Sequence, residues 1–261
     1  GSANAPGRTD ATGPDARFDR PTGLALDAAG NLWTIDAVSN LIRKITPAGV
    51  VTTFASQAGL ALAGDAVGRL HVADGRSRIF RLAADGTATV LAGADPPGSA
   101  DGPAARARFN APAGLAIDRL GDIYVADTGN RTIRRLTAGG DVTTFAGSPG
   151  ESGTVDASGA AARFVSPHGL AFDLRGHLLV ADGSALRRIT RDGVVTTVAR
   201  GTGLIGVAVD AAGNVFTSDV AAHVIRRLAP DGTDLVVAGL GSVAGAADGP
   251  GAAARFNGPW G

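Results

Sequence analysis

Aspartate and arginine recur at a fixed spacing in this chain, and such residues could form ion pairs or charged ligand contacts. The two are seven positions apart in three copies and five apart in one. The pairs are Asp36 and Arg43, Asp127 and Arg134, Asp182 and Arg187, and Asp219 and Arg226. If the partners meet across a hairpin, each pair would be a charge-assisted, bidentate clasp. Because a ligand site does not need so many copies, we predict structural clasps rather than a row of ligand contacts.

A second set of Asp and Arg residues lies in the long connections, again seven positions apart, and each Arg is followed by Phe. The pairs are Asp10 and Arg17, Asp101 and Arg108, Asp156 and Arg163, and Asp248 and Arg255. Ala-rich stretches separate the partners, which predicts an N-capping Asp that opens one or two helical turns. The Phe is then expected to anchor the connection.

Four connections end in Pro-x-Gly, and the middle residue changes while its frame repeats. That residue is Thr22, Ala113, His168 or Trp260. Variable positions in a fixed frame are where a scaffold places specificity. A His can titrate near neutral pH or bind a metal, and a Trp can stack on a sugar, a base or a side chain. We predict Thr22, His168 and Trp260 as ligand-binding candidates, with no catalytic residue, no metal set and no cofactor.

The elements that must position these residues form a unit that occurs five times. Each unit opens with a segment such as Gly-Leu-Ala-Leu-Asp, and the openings fall at 23–27, 59–62, 114–118, 169–173 and 206–210. Short apolar runs separated by turns follow, and in the first unit they predict strands at 24–26, 32–35, 41–45 and 50–54. A long repeat with four such runs is typical of a β-propeller blade.

The third unit carries a resemblance to a known family. Its residues 114–118 read Gly-Leu-Ala-Ile-Asp, 121–127 read Gly-Asp-Ile-Tyr-Val-Ala-Asp, 128–130 read Thr-Gly-Asn and 133–136 read Ile-Arg-Arg-Leu. This pattern resembles the NHL repeat, a family of bacterial and eukaryotic propeller modules, and it recurs through residues 18–261. The resemblance implies an all-β propeller with the Pro-x-Gly positions near the channel mouth, and it leaves the activity open because propellers host unrelated functions.

The fold predicted from the repeat is a single propeller of four-stranded antiparallel blades, with five complete blades. The predicted segments are a connection at 1–17, blades at about 18–56, 57–108, 109–163, 164–200 and 201–255, and a stub at 256–261. Long and short connections alternate in an order that indicates six blades. The alternative to five-bladed closure is therefore a six-bladed ring that lacks one blade, whose open edge would allow self-association.

Composition limits the function. Lys plus Arg and Asp plus Glu both number 24, so a general attraction to nucleic acid or to an anionic membrane is not expected. Cysteine is absent, which fits a secreted or periplasmic protein without cross-links. We predict a non-catalytic binding scaffold that presents a loop-built face to a protein, a glycan or a small ligand. The alternative is a metal-dependent propeller hydrolase, lactonase or lyase with its site at the channel mouth.

Overall fold

The computed structural model describes residue 1 and residues 5–260. Residues 2–4 of the predicted N-terminal connection and residue 261 of the predicted stub lie outside the described residues. Regular structure in the described part is β-strand apart from four single-turn 3-10 helices. None of its helices has the length and apolar character needed to cross a membrane. The all-β prediction is confirmed.

The first sheet holds the first repeat and one strand from the connection before it. Its strands are β1 (Ala11–Thr12), β2 (Pro21–Leu26), β3 (Leu32–Asp36), β4 (Leu41–Ile45) and β5 (Val50–Ser56), in the order β1-β5-β4-β3-β2. Gly30 and Gly49 lie in tight turns and both have φ of 77°, a backbone conformation that residues with a Cβ rarely adopt. Ala11 pairs with Val51, so the connection adds an outer strand to the meander.

The second and third sheets are also antiparallel meanders. The second contains β6 (Ala61–Gly64), β7 (Leu70–Ala73), β8 (Ile79–Leu82) and β9 (Ala88–Ala92), in sequence order. The third contains β10 (Gly102–Pro103), β11 (Pro112–Ile117), β12 (Ile123–Asp127), β13 (Thr132–Leu136) and β14 (Asp141–Ala146), in the order β10-β14-β13-β12-β11. Gly102 pairs with Val142, so here too a connection supplies an outer strand.

The fourth sheet joins the fourth and fifth repeats in one hydrogen-bonded ladder. Its strands, in sequence order, are β15 (Pro167–Phe172), β16 (Leu178–Ile189), β17 (Val195–Val209), β18 (Val215–Asp219), β19 (Val224–Leu228) and β20 (Asp234–Ala238). The prediction of five four-stranded blades is wrong, as is the six-bladed alternative: the described residues form four sheets of four to six strands.

The count differs because the two long strands β16 and β17 keep their pairing where a break was expected. Gly183 pairs with Leu204, and Leu204 in turn pairs with Asp219, so the ladder passes from the fourth repeat into the fifth. Register shifts accompany this passage, at Gly183/Ala185 and at Leu204/Val207. Between the first and second repeats, by contrast, residues 57–60 leave the ladder and two sheets result.

Three of the four connections hold the predicted helical turn, but the predicted Asp caps are wrong. The 3-10 turns are η1 (Gly13–Asp15), η2 (Thr128–Asn130), η3 (Gly159–Ala161) and η4 (Gly251–Ala253). In the three connections that hold such a turn, the N-cap residues are Thr12, Ser158 and Pro250, and none of them caps through its side chain. The Asp carboxylates are engaged elsewhere, as described below. Phe109 and Phe164 are fully buried, as expected of anchors.

The described residues divide into two compact units. One comprises Gly1–Ile123 with Leu136–Val142, and the other comprises Tyr124–Arg135 with Thr143–Gly261. In the first, a buried cluster surrounds Trp33, Ile35 and Val72. In the second, a buried cluster surrounds Leu179, Leu186 and Val215. The face of each sheet that carries these residues is the part that folding removes from water.

Candidate functional site

Three of the Pro-x-Gly segments open first strands, at Pro21, Pro112 and Pro167, and Gly23 and Gly169 lie against a neighbouring backbone. A Cβ on Gly169 would meet the carbonyl oxygen of Ile205 and lie 2.9 Å from the amide nitrogen of Val207. A Cβ on Gly23 would lie 2.9 Å from the carbonyl oxygen of Leu60. Only glycine permits this approach, so Thr22 and His168, the variable residues before these two glycines, are held at the start of closely packed strands.

His168 and Trp260 are brought together, although 92 positions separate them in the sequence. Their rings meet edge to face with centroids 6.1 Å apart and an interplanar angle of 87°. This is a favourable arrangement for two aromatic rings. Trp260 keeps 46% of its surface exposed, and His168 is half-buried. The third candidate, Thr22, lies in the other unit, where its buried hydroxyl oxygen has no hydrogen-bond partner among the described residues.

The orientation of His168 is fixed by the strand start. Its Nδ1 lies 2.9 Å from the carbonyl oxygen of Ser166, and because a carbonyl only accepts, Nδ1 donates. The neutral ring therefore presents the Nε2 lone pair. The amide nitrogen of Ser166 donates in turn to Oδ1 of Asp182 at 2.7 Å, which ties the His168 segment to a buried carboxylate. Burial raises the pKa of Asp182, against the opposing effects of Ser166 and Arg187.

Trp260 is held by polar contacts of its own segment with the fifth repeat. The hydroxyl of Ser218 donates to the carbonyl oxygen of Trp260 at 3.4 Å and accepts from the amide of Gly206 at 2.8 Å. The amide of Gly258 donates to Nδ1 of His223 at 3.0 Å. The main chain is therefore anchored while the indole ring stays accessible, which suits a stacking residue.

Three of the four predicted Asp–Arg pairs are present as ion pairs. The Nη1–Oδ2 distances are 3.2 Å for Arg43 and Asp36, 2.9 Å for Arg134 and Asp127, and 3.3 Å for Arg187 and Asp182. All six side chains are fully buried. They are shielded from solvent, as expected of a structural clasp.

The fourth predicted pair is not brought together. Arg226 instead pairs with Asp234, at 2.8 Å between Nη2 and Oδ2. Asp219 accepts hydrogen bonds from the amide and the hydroxyl of Thr202, at 2.8 and 2.6 Å, and from the amide of Ala222. The junction into the fifth repeat therefore supplies donors for this carboxylate in place of a guanidinium.

The connection carboxylates bind the clasp arginines, a contact that sequence spacing did not reveal. Asp10 accepts from Nη2 of Arg43 at 2.7 Å, and Asp156 accepts from Nη2 of Arg187 at 2.8 Å. Both also accept from the amide and hydroxyl of a strand threonine, Thr53 for Asp10 and Thr197 for Asp156. Burial would raise the pKa of Asp10, but these hydrogen bonds outweigh it and hold the pKa below its ordinary value.

The connection arginines serve the turn they follow. Nη1 of Arg17 donates to the carbonyl oxygens of Pro14 and Ala16, at 2.5 and 2.9 Å. Nη1 of Arg163 donates to those of Ala160 and Ala162, at 2.7 and 2.8 Å. Asp and Arg of these connections therefore have separate structural roles. The Asp binds a clasp arginine, and the Arg binds carbonyl oxygens of its own turn.

The remaining histidines are partners of turn aspartates. Nδ1 of His177 lies 3.0 Å from Oδ2 of Asp173, and Nε2 of the buried His71 lies 3.3 Å from Oδ2 of Asp65. Trp33 makes the equivalent contact in the first repeat, where its indole N–H donates to Asp27 at 3.0 Å. Within the described residues, no group of three or more His, Asp or Glu side chains could hold a metal ion.

Comparison with known proteins places this architecture in context. Residues 109–136 match the family model of the NHL repeat. Protein SUPPRESSOR OF QUENCHING 1, chloroplastic, from Arabidopsis thaliana is 34% identical over 180 residues, which cover 61% of this chain and 17% of that protein. The chain therefore spans less than a fifth of the length of the curated relative that it matches.

Solved structures share the fold at low sequence identity. A Bacteroides thetaiotaomicron protein of unknown function superposes with a TM-score of 0.74 and 21% identity, covering 98% of this chain and 66% of that one. A gluconolactonase from Xanthomonas campestris gives a TM-score of 0.66 and 22% identity, covering 84% and 75%. At such identities the likeness shows the fold alone. The predicted propeller fold is confirmed, and residues 109–136 carry an NHL repeat.

Proposed function

We propose that this chain, a β-propeller with an NHL repeat, is a non-catalytic binding scaffold whose ligand contacts His168 and Trp260. The observation that carries the proposal is the pairing of these two rings, which lie at non-repeating positions in a repeating frame. The repeated charged residues support the same view, because those of the clasps and connections are engaged in contacts within the fold.

The pair offers two complementary contacts to a ligand. The exposed indole of Trp260 supplies an apolar face for a sugar ring or for an apolar side chain. The Nε2 lone pair of His168 accepts a hydrogen bond from a hydroxyl or an amide. A glycan, a peptide segment or a small ligand with a ring and an adjacent donor matches this combination.

Tryptophan fluorescence tests the proposal, because Trp33 is buried and Trp260 is exposed. Oligosaccharides and short peptides are titrated into the purified chain, and the emission of Trp260 is expected to change on binding. Trp260→Phe should abolish the change, and His168→Gln should weaken binding about tenfold, the effect of one lost hydrogen bond to a polar ligand. His177→Gln is the matched control, since that ring is engaged by Asp173. Full affinity in both Trp260→Ala and His168→Ala would overturn the proposal.

The alternative function, a metal-dependent hydrolase or lactonase, makes a different prediction for the same histidine. It is favoured by the fold shared with a gluconolactonase and by the free Nε2 of His168. Elemental analysis of protein equilibrated with Ca²⁺ or Zn²⁺ distinguishes the two. A stoichiometric ion that is lost in His168→Ala would replace the scaffold by the enzyme.

We also propose that the protein is exported, to the periplasm or the exterior, on the basis of its lack of cysteine. Fractionation of cells that express the full-length gene, followed by detection of the chain, tests this location. Recovery in the cytoplasmic fraction alone would contradict it.

A further inference from the structure

A cavity of about 440 Å³ opens in the second unit, and none of its lining residues belongs to the His168–Trp260 pair. Its floor is apolar and is formed by Leu179, Val198, Val215 and Leu228. Arg175 and Arg188 add charge to its wall. Concave sites of roughly 300–1,000 Å³ with an apolar lining and a few polar groups are those that bind small molecules.

The cavity lies where other repeats place aromatic rings. The second residue of the second strand is Trp33 in the first repeat and Tyr124 in the third, but Leu179 in the fourth. In the last strand the corresponding residues are Phe54 and Phe145, but Val198 in the fourth repeat; all four aromatic residues occupy the same two positions.

In the first and third repeats these rings fill the space against each other. Trp33 and Phe54 meet edge to face with centroids 4.9 Å apart, and Tyr124 and Phe145 do so at 5.2 Å. The fourth repeat replaces both rings of the pair by smaller aliphatic side chains. Since an interior that loses large side chains collapses only in part, the missing rings leave a space that an aromatic ring can occupy.

A cation stands over this position, as it does in the first repeat. There Nζ of Lys44 lies 5.2 Å from the ring centroid of Trp33, the geometry of a cation–π contact. Lys44 directly follows the clasp residue Arg43, and Arg188 directly follows Arg187 in the same way. Arg188 therefore occupies the position of a cation that covers a ring, in a repeat from which that ring is missing.

Polar atoms beside the cavity lack partners. Nε of Arg188 and the hydroxyl oxygen of Thr196 are buried and have no hydrogen-bond partner among the described residues. The two residues are paired across β16 and β17. Buried polar groups are nearly always satisfied, so Nε of Arg188, which lines the cavity, is a candidate for contact with a bound molecule.

The charge of the wall favours an anion. The carboxylate in the lining, Asp173, is already engaged by His177 and by the amides of Arg175 and His177. Arg188 and Arg175 outnumber this single carboxylate in the lining, so the net charge of the wall is positive. Guanidinium and carboxylate groups form strong, paired hydrogen bonds.

We propose that this cavity binds a small aromatic carboxylate, with its ring against Leu179 and Val198 and its carboxylate against Arg188. The ring would replace the aromatic side chains that the fourth repeat lacks, and Arg188 would pair with its carboxylate. The site is independent of the one proposed for His168 and Trp260.

Calorimetric titration with 2-naphthoate tests the proposal on the whole chain. One saturable site is expected, and the neutral analogue 2-naphthamide should bind about tenfold or more weakly because it lacks the charge that Arg188 would pair with. Absence of saturable binding of 2-naphthoate at millimolar concentration, or equal affinity for the two compounds, would overturn the proposal.

Two variants test whether the residues of the cavity bind 2-naphthoate. Leu179→Tyr with Val198→Phe restores the residues of the third repeat, fills the cavity and should abolish binding. Arg188→Gln keeps the cavity and should weaken binding about tenfold through loss of the charged partner. This second variant decides the matter if the first does not fold.

Two controls show whether binding is local. Lys44→Gln, which removes the corresponding cation of the first repeat, and Trp260→Phe should both retain the affinity of the original chain for 2-naphthoate. Binding that follows Trp260 rather than Arg188 would place the compound at the other site and refute the cavity assignment.

Discussion

At the scale of the residue, the clasp arginines are fully buried charges with several partners each. Arg43 is fully buried, and its guanidinium contacts the carboxylates of Asp10 and Asp36 and the carbonyl oxygens of Thr9 and Arg17. The partners differ in exposure, because Asp36 is buried and Asp10 is half-exposed. The charge is therefore compensated in a region that excludes water, where loss of one partner is costly.

Neutralising the buried partner should destabilise the fold strongly. We expect Asp36→Asn to lower the free energy of unfolding by about 3–5 kcal/mol, because Arg43 would keep its charge without its buried counterion. Urea denaturation followed by circular dichroism measures this value. Asp95→Asn is the control, since Asp95 pairs with Arg78 on the surface and such pairs contribute at most about 1 kcal/mol. Equal losses in the two variants would contradict the role given to the buried clasp.

Sequence spacing predicted the clasp pairs within a hairpin but missed their second partner. Asp36 and Arg43 lie on strands that pair directly, so a short separation determines their contact. Asp10 reaches Arg43 from 33 positions away, and that approach depends on the path of the whole connection. Local spacing also suggested Asp10 with Arg17, although the Arg17 side chain turns to carbonyl oxygens of its own turn.

At the scale of the element, the first strands are positioned by close backbone approach. In the fourth repeat this approach occurs at Gly169, directly after His168, where the strand faces the backbone at Ile205 and Val207. The same contact therefore fixes the position of the backbone from which the His168 side chain extends. A residue with no apparent chemistry thus helps to place a residue of the candidate site.

A methyl group at this point should disturb both packing and the site. Gly169→Ala is expected to cost about 1–3 kcal/mol of unfolding free energy, because its Cβ would meet backbone atoms that cannot rotate away. Gly241→Ala is the matched control, since no atom lies within 4 Å of its Cβ position and φ is not positive there. Thermal denaturation of both variants makes the comparison. A Gly169→Ala protein as stable as the control would show that the strands separate easily.

Strands were more predictable from the sequence than the sheets they form. β4 spans Leu41–Ile45 as predicted, and β3 differs from its prediction by one residue, Asp36. β-branched and apolar residues between turn signals define such segments locally. The joining of two repeats in one sheet depends instead on pairings such as Leu204 with Asp219, which no periodic pattern encodes.

At the scale of the whole molecule, basic and acidic residues are equal in number, but the pKa values of the carboxylates are not shifted in the same direction. Several carboxylates have a pKa below the ordinary value in the folded state. For Asp27, the hydrogen bond from the Asn31 side chain and further donors lower the pKa to about 2. Asp156 is lowered by Thr197 and Arg187 against the effect of burial. Asp182 is the opposite case, because burial raises its pKa.

These shifts predict a loss of stability in acid. A carboxylate with a lowered folded pKa stabilises the fold above its unfolded value of 3.8, and this contribution is lost as pH falls from there toward 2. Asp182 offsets part of the loss, since its protonation is favoured in the folded state. The urea midpoint should therefore be nearly constant from pH 7 to 5 and fall steeply below pH 4. Asp156→Asn should reduce that slope, and a midpoint unchanged down to pH 3 would contradict the assignment.

The two candidate sites differ in how far the sequence reveals them. His168 and Trp260 stand out because their frame repeats, although only the folded chain shows that their rings meet. The cavity arises because Leu179 and Val198 are smaller than the aromatic residues at the same positions of the first and third repeats. No single residue of the sequence indicates it. Aligning the repeats and comparing side-chain volume at each position would have indicated it, since packing interiors respond to lost volume.

The ladder that continues from the fourth repeat into the fifth has a consequence for the modularity of the chain. The first and second repeats each own a sheet, but β17 belongs to two repeats at once. Removing the fifth repeat alone would cut β17 and take away Leu204, the partner of Gly183, which would leave the hydrogen-bonding groups of β16 at that point along a bare edge, a hazard for aggregation. The smallest segment that can be excised, duplicated or transplanted here without such an edge is therefore the pair of repeats, with the cavity carried inside it.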